Sequence, residues 1–139
     1  MAAGYSTKSL AEKLGIKEGF KIIIISPPRD YLNTLEIPRK VTLTNQLKGP
    51  LEFIHFFTKS RQELETQFPS LKRELLKGGM LWISWPKGSS KVETDLNEGV
   101  VREVGLKNGL VDVKVCAVNQ VWSGLKFVFR LKDRAKVKP

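Results

Sequence analysis

The sequence predicts a three-layer α/β domain: a mostly parallel sheet, helices on both faces, and an antiparallel hairpin at the C-terminal end. Two observations predict this class. Strongly apolar runs, "FKIIII", "LEFIHFF" and "MLWISW", alternate along the chain with segments of helical pattern. The last section, "VDVKVCAVNQVWSGLKFVFRLK", instead alternates apolar and polar residues, as paired antiparallel strands do. Alternating strands and helices with short connections favour a parallel sheet covered on both faces.

The first third of the chain predicts two short helices and two strands. Ser9 and Glu12 have capping-box spacing, and Gly15 can end that first helix in a left-handed turn. "FKIIII" has no polar alternation, which predicts a central strand covered on both faces. After it, "YLNTLEIP" predicts a short helix. "KVTLT" predicts a more lateral strand because its residues alternate.

The middle of the chain carries the clearest helix signature, "SRQELETQFPSLKRELLKGG". Ser60 and Glu63 can form a capping box at its start, and Gly78 and Gly79 are expected to close it. Pro69 is expected to kink this helix or split it in two, because proline removes a helical hydrogen bond. A third buried strand, "MLWISW", should follow the glycines and end before the next proline.

The last third predicts one more helix and the closing hairpin. Asp95 is expected to cap the helix, which should end near Asn108 and Gly109. The hairpin is expected to turn near Ser123 and Gly124. No repeat or linker is visible, so we expect a single domain over residues 1–131 and a basic C-terminal tail over residues 132–139.

Composition limits the classes of protein that the sequence can represent. The 139 residues are 41% hydrophobic and 27% charged, as expected of one globular domain. The N-terminus lacks the apolar core of a signal peptide, no run is long enough to cross a bilayer, and Cys116 is the only cysteine. We therefore expect a cytoplasmic protein that is not embedded in a membrane.

The charge balance is the one unusual bulk property. Lys and Arg total 24 against 14 Asp and Glu, a formal net charge of +10 that can attract phosphates or acidic surfaces. Part of this charge lies in the tail "RLKDRAKVKP", and the rest is scattered. Because no recognised nucleic-acid motif accompanies it, nucleic-acid binding stays an alternative rather than the leading hypothesis.

From Leu51 to Arg130 the sequence resembles the class I, S-adenosylmethionine-dependent methyltransferases. The resemblance lies in "LEFIHFF", the helix after it, "LLKGGMLWISWP", and the closing strand pair with Trp122 and "GLKFVFR". It implies a Rossmann-like, methyltransferase-like fold. The whole chain is also similar to a family of small bacterial proteins of unknown function, through "YSTKSLAEKLGIKEG", "SWPK", "TDL" and "WSGLKF".

The cofactor residues of the methyltransferase family are not found where the resemblance would place them. The family holds its cofactor with a glycine-rich turn after the first strand, where this chain has Pro27 and Pro28, which lack an N–H. After the second strand, "TLTNQL" offers Asn45 but no carboxylate for ribose hydroxyls. We therefore expect no cofactor, with S-adenosylmethionine disfavoured, although Asn45 could still bond a hydroxyl.

Several polar and aromatic residues are candidates for a ligand site. His55, the only histidine, is interpreted first as a hydrogen-bonded core imidazole and otherwise as a group at the pocket floor. Trp122 is either a stacking wall or core packing. The loop "SWPKGSSK" could bind phosphate or carboxylate through its lysines and serines. The full candidate set is Ser26, Arg29, His55, Trp85, Lys87, Ser89, Ser90 and Trp122.

No catalytic group or metal site is predicted. One histidine and one cysteine on different strands make a poor metal site, since zinc needs three or four ligands. No serine, histidine and carboxylate form a recognisable triad. The leading hypothesis is therefore a non-catalytic methyltransferase-like domain that binds a small anionic or nucleotide-like ligand, or a protein partner, at the carboxyl edge of the sheet. The pocket is expected between the loops at Ser26, Thr58 and Pro86. A divergent methyltransferase and electrostatic nucleic-acid binding are the alternatives.

Overall fold

A computed structural model describes residues 8–134. The chain forms a six-stranded sheet with helices on both faces. In chain order the elements are α1 (Leu10–Leu14), β1 (Lys21–Ile25), α2 (Tyr31–Leu35), β2 (Thr42–Thr44), β3 (Leu51–Phe57), α3 (Arg61–Glu74), β4 (Leu75–Pro86), a 3-10 turn (Gly88–Ser90), α4 (Glu98–Lys107), β5 (Leu110–Ala117), β6 (Trp122–Phe129) and α5 (Leu131–Arg134).

The strand order is β2-β1-β3-β4-β6-β5. The first four strands are parallel, whereas β6 runs antiparallel to both β4 and β5. This is the mostly parallel sheet with a C-terminal antiparallel hairpin that the sequence predicts, and the fold class is confirmed. The carboxyl ends of β1, β2, β3 and β4 therefore meet at one edge, which we call the carboxyl edge. The opposite edge is the amino edge.

Each face of the sheet packs against its own helices. Leu64 and Phe68 of α3 and Val101 of α4 lie in the core on one face. Leu14 of α1 and Tyr31 of α2 lie in the core on the other face. Central strands supply both cores, as Ile22 and Ile23 of β1 do, because successive side chains along a strand point to opposite faces. The three layers of the prediction are thus present.

Several local predictions are confirmed. Ser9 and Glu12 form a complete capping box, and Gly15 ends α1 with φ of 95°. The helix after β1 and the lateral strand β2 both form where the sequence predicts them. The α1 segment is also fastened to the sheet, because the indole of Trp82 donates to the carbonyl of Leu14 at 2.8 Å.

The end of α3 differs from the prediction. The helix runs unbroken through Pro69 and ends at Glu74, so it is neither split nor closed by glycines. Gly78 and Gly79 lie inside β4, which begins at Leu75. An added Cβ at Gly79 would lie 2.9 Å from the carbonyl oxygens of Leu51 and Glu52. This glycine therefore permits close strand approach rather than ending a helix.

The cap of α4 also differs from the prediction. Asn97, not Asp95, is the N-cap, and its side chain accepts from the amide of Val100 at 2.9 Å. Asp95 instead accepts from the amide of Arg61 at 2.8 Å, at the start of α3. Both side chains cap a helix N-terminus, but Asp95 acts across the fold, which spacing along the sequence does not reveal.

The hairpin turns earlier than predicted, between Ala117 and Trp122. Asn119 makes this turn, since its side chain accepts from the amides of Val121 and Trp122, each at 2.8 Å. Ser123 and Gly124 lie within β6. The glycine is required there by packing, because an added Cβ would lie 3.0 Å from the Trp82 ring.

Two kinds of site are not found in the described part of the chain. Residues 8–134 contain no group of three or more His, Cys, Asp or Glu side chains that could hold a metal ion. Within the same range, no helix has the length and apolar character needed to cross a membrane. The predicted basic tail, residues 132–139, belongs to α5 as far as Arg134 and otherwise lies outside the described residues.

Candidate functional site at the carboxyl edge

A cavity of about 530 Å³ lies at the carboxyl edge, between the ends of β1 and β3 and the start of β6. Its walls combine aromatic, hydroxyl and charged side chains with the diproline turn. The lining residues are Ser26, Pro27, Pro28, Phe57, Thr58, Lys59, Ser60, Glu63, Val92, Val121 and Trp122. In a parallel α/β sheet this edge is where ligands bind, because the connecting loops diverge there.

The turn after β1 forms one wall of this carboxyl-edge cavity. Ser26 and Asp30 flank the two prolines, and both have left-handed backbones, with φ of 58° and 71°. Such a conformation costs a residue other than glycine on the order of 1 kcal/mol, and strain of this kind is often found at functional sites. The sharp bend that a glycine-rich turn would supply is therefore made here by Ser26, with a hydroxyl side chain.

The loop after β3 forms the second wall and is held by its own hydrogen bonds. The amide of Thr58 donates to the carbonyl of Ser84 at 3.0 Å, which fixes the loop to β4. The Thr58 hydroxyl donates to the carboxylate of Glu63. Ser60 caps α3 by accepting from the Glu63 amide at 3.1 Å. Hydroxyl and carboxylate oxygens are thus held in fixed positions beside the cavity.

Two aromatic rings form the third wall. Trp122 packs edge-on against Phe57, with ring centroids 5.3 Å apart and an interplanar angle of 79°. Phe57 in turn stacks on His55 at 4.1 Å. Trp122 is 9% exposed, so it serves as core packing and also lines the cavity.

A buried hydrogen-bonded chain lies beneath these rings. His55 is fully buried; its Nδ1 bonds the Tyr31 hydroxyl and its Nε2 bonds the Ser84 hydroxyl, each at 2.7 Å. Burial lowers the pKa of His55 to about 3, so the imidazole is neutral at physiological pH. Burial also raises the pKa of Tyr31, with the charge of Cys116 a smaller cause. These hydrogen bonds satisfy the polar groups of the Tyr31, His55 and Ser84 side chains, which pack beneath the cavity.

A second cavity of about 690 Å³ adjoins the first and shares Ser26 with it. It lies along β1 and β2 and includes Leu43, Thr44 and Asn45 at the end of β2. Leu32 of α2 also lines it. The space beside Ser26 therefore extends toward Asn45, the residue that the sequence offers in place of a ribose-binding carboxylate.

The structure separates the candidate residues into groups. Ser26 and Trp122 line the carboxyl-edge cavity, and Arg29 lines a neighbouring cavity of about 490 Å³ that Trp122 also touches. His55 lies beneath, and Trp85 is buried in the core on the face of α3 and α4. The remaining three, Lys87, Ser89 and Ser90, belong to the loop after β4 and do not line the carboxyl-edge cavity.

That loop has an internal structural role. The Ser90 hydroxyl donates to the carbonyl of Lys87 at 2.6 Å and accepts from the amide of Val92. Ser90 is therefore engaged in holding the turn. Sequence reasoning placed the Thr58 loop at the pocket but did not single out Glu63, because its spacing from Ser60 indicated a helix cap. Both roles are compatible, since the cap uses its backbone amide.

Solved structures with the same fold include S-adenosylmethionine-dependent methyltransferases. A TehB-like enzyme from Corynebacterium glutamicum matches with a TM-score of 0.60 at 14% identity, over 93% of this chain and 91% of that one. An enzyme from Aquifex aeolicus matches with a TM-score of 0.60 at 16% identity, over 84% and 85% of the two chains. The magnesium protoporphyrin IX methyltransferase of Synechocystis, with bound S-adenosylmethionine, matches with a TM-score of 0.57 at 11% identity, over 87% and 74%.

These matches establish the fold, which is that of the class I methyltransferases. No protein-family profile matches the sequence, and no curated protein matches it. The expectation of no cofactor is corrected by these structures, since they are S-adenosylmethionine-dependent and one holds that cofactor. The expectation was wrong because it equated a missing glycine turn with a missing cofactor. Ser26 makes the left-handed bend without glycine.

Proposed function

We propose that this chain binds S-adenosylmethionine at the carboxyl edge and acts as a divergent S-adenosylmethionine-dependent methyltransferase. The observation that carries the proposal is the cavity of about 530 Å³ between the ends of β1 and β3. It lies at the edge where a doubly wound sheet binds nucleotides. The similarity to methyltransferases over almost the full length of both chains supports the same conclusion.

The residues around the carboxyl-edge cavity suit an adenosyl group. A volume of about 530 Å³ lies within the range of small-molecule sites, roughly 300–1,000 Å³. Phe57 and Trp122 supply aromatic surface against which a base can pack. The hydroxyls of Ser26 and Thr58, and Asn45 beyond them, supply hydrogen-bonding groups for a ribose. The glycine cradle is absent, so side chains must replace backbone amides in holding the ligand.

The charges at the site also suit this cofactor. S-adenosylmethionine supplies an electrophilic methyl group on a positively charged sulfonium. Glu63 offers a carboxylate at the cavity, and the Trp122 ring offers an electron-rich face, and both attract a cation. Lys59 lies at the same cavity and can pair with the carboxylate end of the ligand. The fixed Thr58–Glu63 hydrogen bond keeps the acidic group oriented without a large entropic cost on binding.

A non-catalytic binding module is the second candidate function. Pro27 and Pro28 favour it, because a turn with two fewer amide donors grips phosphate or carboxylate less firmly than a glycine turn does. Such a module would bind a small anionic or nucleotide-like ligand at the same cavity. The two candidates separate on whether bound S-adenosylmethionine is converted to S-adenosylhomocysteine when a nucleophilic acceptor is supplied.

Equilibrium dialysis with labelled S-adenosylmethionine tests the proposal. Wild-type protein should bind saturably, with competition by S-adenosylhomocysteine. Val92→Trp should lower the affinity at least about tenfold, equivalent to about 1.4 kcal/mol, because Val92 is half-buried at the cavity and an indole would fill it.

The matched control is Val113→Trp, the same substitution at a side chain that is 56% exposed on β5, away from the cavity. It should leave the affinity unchanged. Absence of saturable binding by the folded wild type at millimolar ligand contradicts the proposal. Equal loss in both variants places binding elsewhere and contradicts it too.

A further inference from the structure

A cavity of about 380 Å³ lies at the amino edge, opposite the candidate methyltransferase site. The end of α3, the start of β4 and the end of β6 surround it. Its polar lining is largely cationic, with Lys72, Arg73 and Lys77, and the ammonium groups of the two lysines lie over the ring of Phe129. We call these three residues and Arg134, which bonds Phe129 from α5, the amino-edge cluster.

Neutral groups hold three of the four cations of this cluster in position. The ammonium of Lys72 donates to the carbonyl of Asn108 at 2.6 Å. That of Lys77 lies 4.4 Å from the centroid of the Phe129 ring. The guanidinium of Arg134 donates through Nε to the carbonyl of Phe129 at 3.0 Å. Each cation keeps donors that these contacts do not use, since an ammonium has three and a guanidinium five.

Few of the positive charges in this cluster are balanced by a nearby carboxylate. Within residues 8–134, no carboxylate oxygen lies within 4.0 Å of a charged nitrogen of Lys72, Lys77 or Arg134. Arg73 alone pairs with a carboxylate, that of Glu74 at 3.3 Å, and its side chain is 68% exposed. An exposed pair of this kind contributes little and leaves the guanidinium available to another anion.

Local stability explains only part of the cluster. Lys72 and Arg73 stand in the last turn of α3, where positive charge offsets the helix dipole. Lys77 belongs to β4, so that explanation does not apply to it, whereas Arg134 stands in the last turn of the short helix α5. Gly109 leaves room for the cluster as well, since an added Cβ would lie 2.9 Å from the Lys72 ammonium.

We propose that the amino-edge cluster binds the phosphate backbone of a nucleic acid without reading its sequence. Cations fixed around a concave site match a chain of phosphates, and the net charge of +10 adds long-range attraction. Phe129 is only 3% exposed, so its ring cannot stack on bases. A concave site suits a strand of phosphates better than the flat surface of an anionic membrane. This inference does not depend on the proposed cofactor site.

Fluorescence anisotropy with a labelled 20-nucleotide single-stranded RNA tests this second proposal. The affinity should fall linearly in log–log form as salt rises, because phosphate contacts release counterions. Lys77→Gln/Arg134→Gln should weaken binding at least about fivefold and reduce the salt slope by about one for each cation removed. The carboxyl-edge double variant Lys87→Gln/Lys91→Gln removes the same charge and should change the affinity less than about twofold.

Three outcomes would overturn the proposal. The first is no binding to RNA at low salt. In the second, the two double variants lose affinity equally, so that net charge alone accounts for binding. In the third, the protein binds vesicles of anionic phospholipid but not RNA, which would make the cluster a membrane contact. Dialysis of Lys77→Gln/Arg134→Gln with S-adenosylmethionine should give wild-type affinity, so failure of one proposal is distinguishable from failure of the other.

Discussion

The two edges of the sheet differ in what determines their chemistry. At the carboxyl edge, topology brings Ser26, Thr58 and Trp122 together around one cavity, and a parallel sheet makes such a cavity at its loop side. At the amino edge, the fold does not require cations. The cations Lys77 and Arg134 reflect the residue types at these positions of β4 and α5, and not the topology of the sheet. One fold therefore carries a candidate site that follows from the architecture and a second candidate site that depends on local composition.

Two glycines near opposite edges differ in how tightly they are packed. Gly124 pairs with Ser84 near the carboxyl edge, and an added Cβ would meet the Trp82 ring at 3.0 Å and the Ser84 hydroxyl at 3.1 Å. Gly78 at the amino edge has no atom within 4 Å of the same position. The Trp82 and Ser84 side chains therefore leave no room for a methyl group at Gly124, whereas the surroundings of Gly78 are open.

The largest expected effect is a loss of folding stability at low pH, caused by the buried His55 beneath the carboxyl-edge cavity. The pKa of His55 is about 3 in the folded protein against 6.5 ordinarily, so below pH 6.5 only the unfolded chain takes up its proton. Above pH 6.5 the protonation of His55 therefore does not affect the free energy of unfolding. Between pH 6.5 and 3 it lowers the free energy of unfolding by about 1.4 kcal/mol for each pH unit.

Denaturant unfolding of the wild type and His55→Asn between pH 7 and 4.5 measures this loss. The variant should be less stable at pH 7 and should lack this part of the pH dependence. His55 is the only histidine, so the difference between the two slopes belongs to it. Parallel pH dependences would show that the imidazole is accessible to protons in the folded protein.

A smaller change in stability is expected to distinguish substitutions at Gly124 and Gly78. Gly124→Ala should lower the free energy of unfolding by about 1–3 kcal/mol, because the new methyl group overpacks against Trp82 and Ser84. Gly78→Ala is the control and should lie within about 0.5 kcal/mol of the wild type, since its surroundings are open. Equal stabilities for the two variants, measured by urea unfolding, would contradict the difference in packing.

Much of the fold could be predicted because its strands are strongly apolar. The apolar runs that form β1 and β3 are too short and too apolar to be anything but buried strands in a globular domain of this size. The alternating pattern of the last section identified the antiparallel pair β5 and β6. The errors came from glycines. Gly78 and Gly124 were interpreted as turn residues, whereas one lies in the long strand β4 and the other gives space to Trp82. Sequence alone does not distinguish these uses of glycine.

The candidate site could be predicted only in outline. Strand ends located Ser26 and Thr58, since the carboxyl edge follows from topology. The partners of His55 could not be found, because Tyr31 and Ser84 are 24 and 29 residues away along the chain. The cofactor prediction failed for a similar reason, as the left-handed backbone of Ser26 is not visible in its residue type.

Chemical-shift mapping by NMR tests the central claim most directly, because the chain has 139 residues and only three tryptophans. Titration with S-adenosylmethionine should shift the indole signal of Trp122 and the amides of Thr58 and Ser60. The amides of Gly78 and Gly79 at the amino edge should stay in place. No shifts at millimolar ligand, or shifts confined to the amino edge, would contradict a cofactor site at the carboxyl edge.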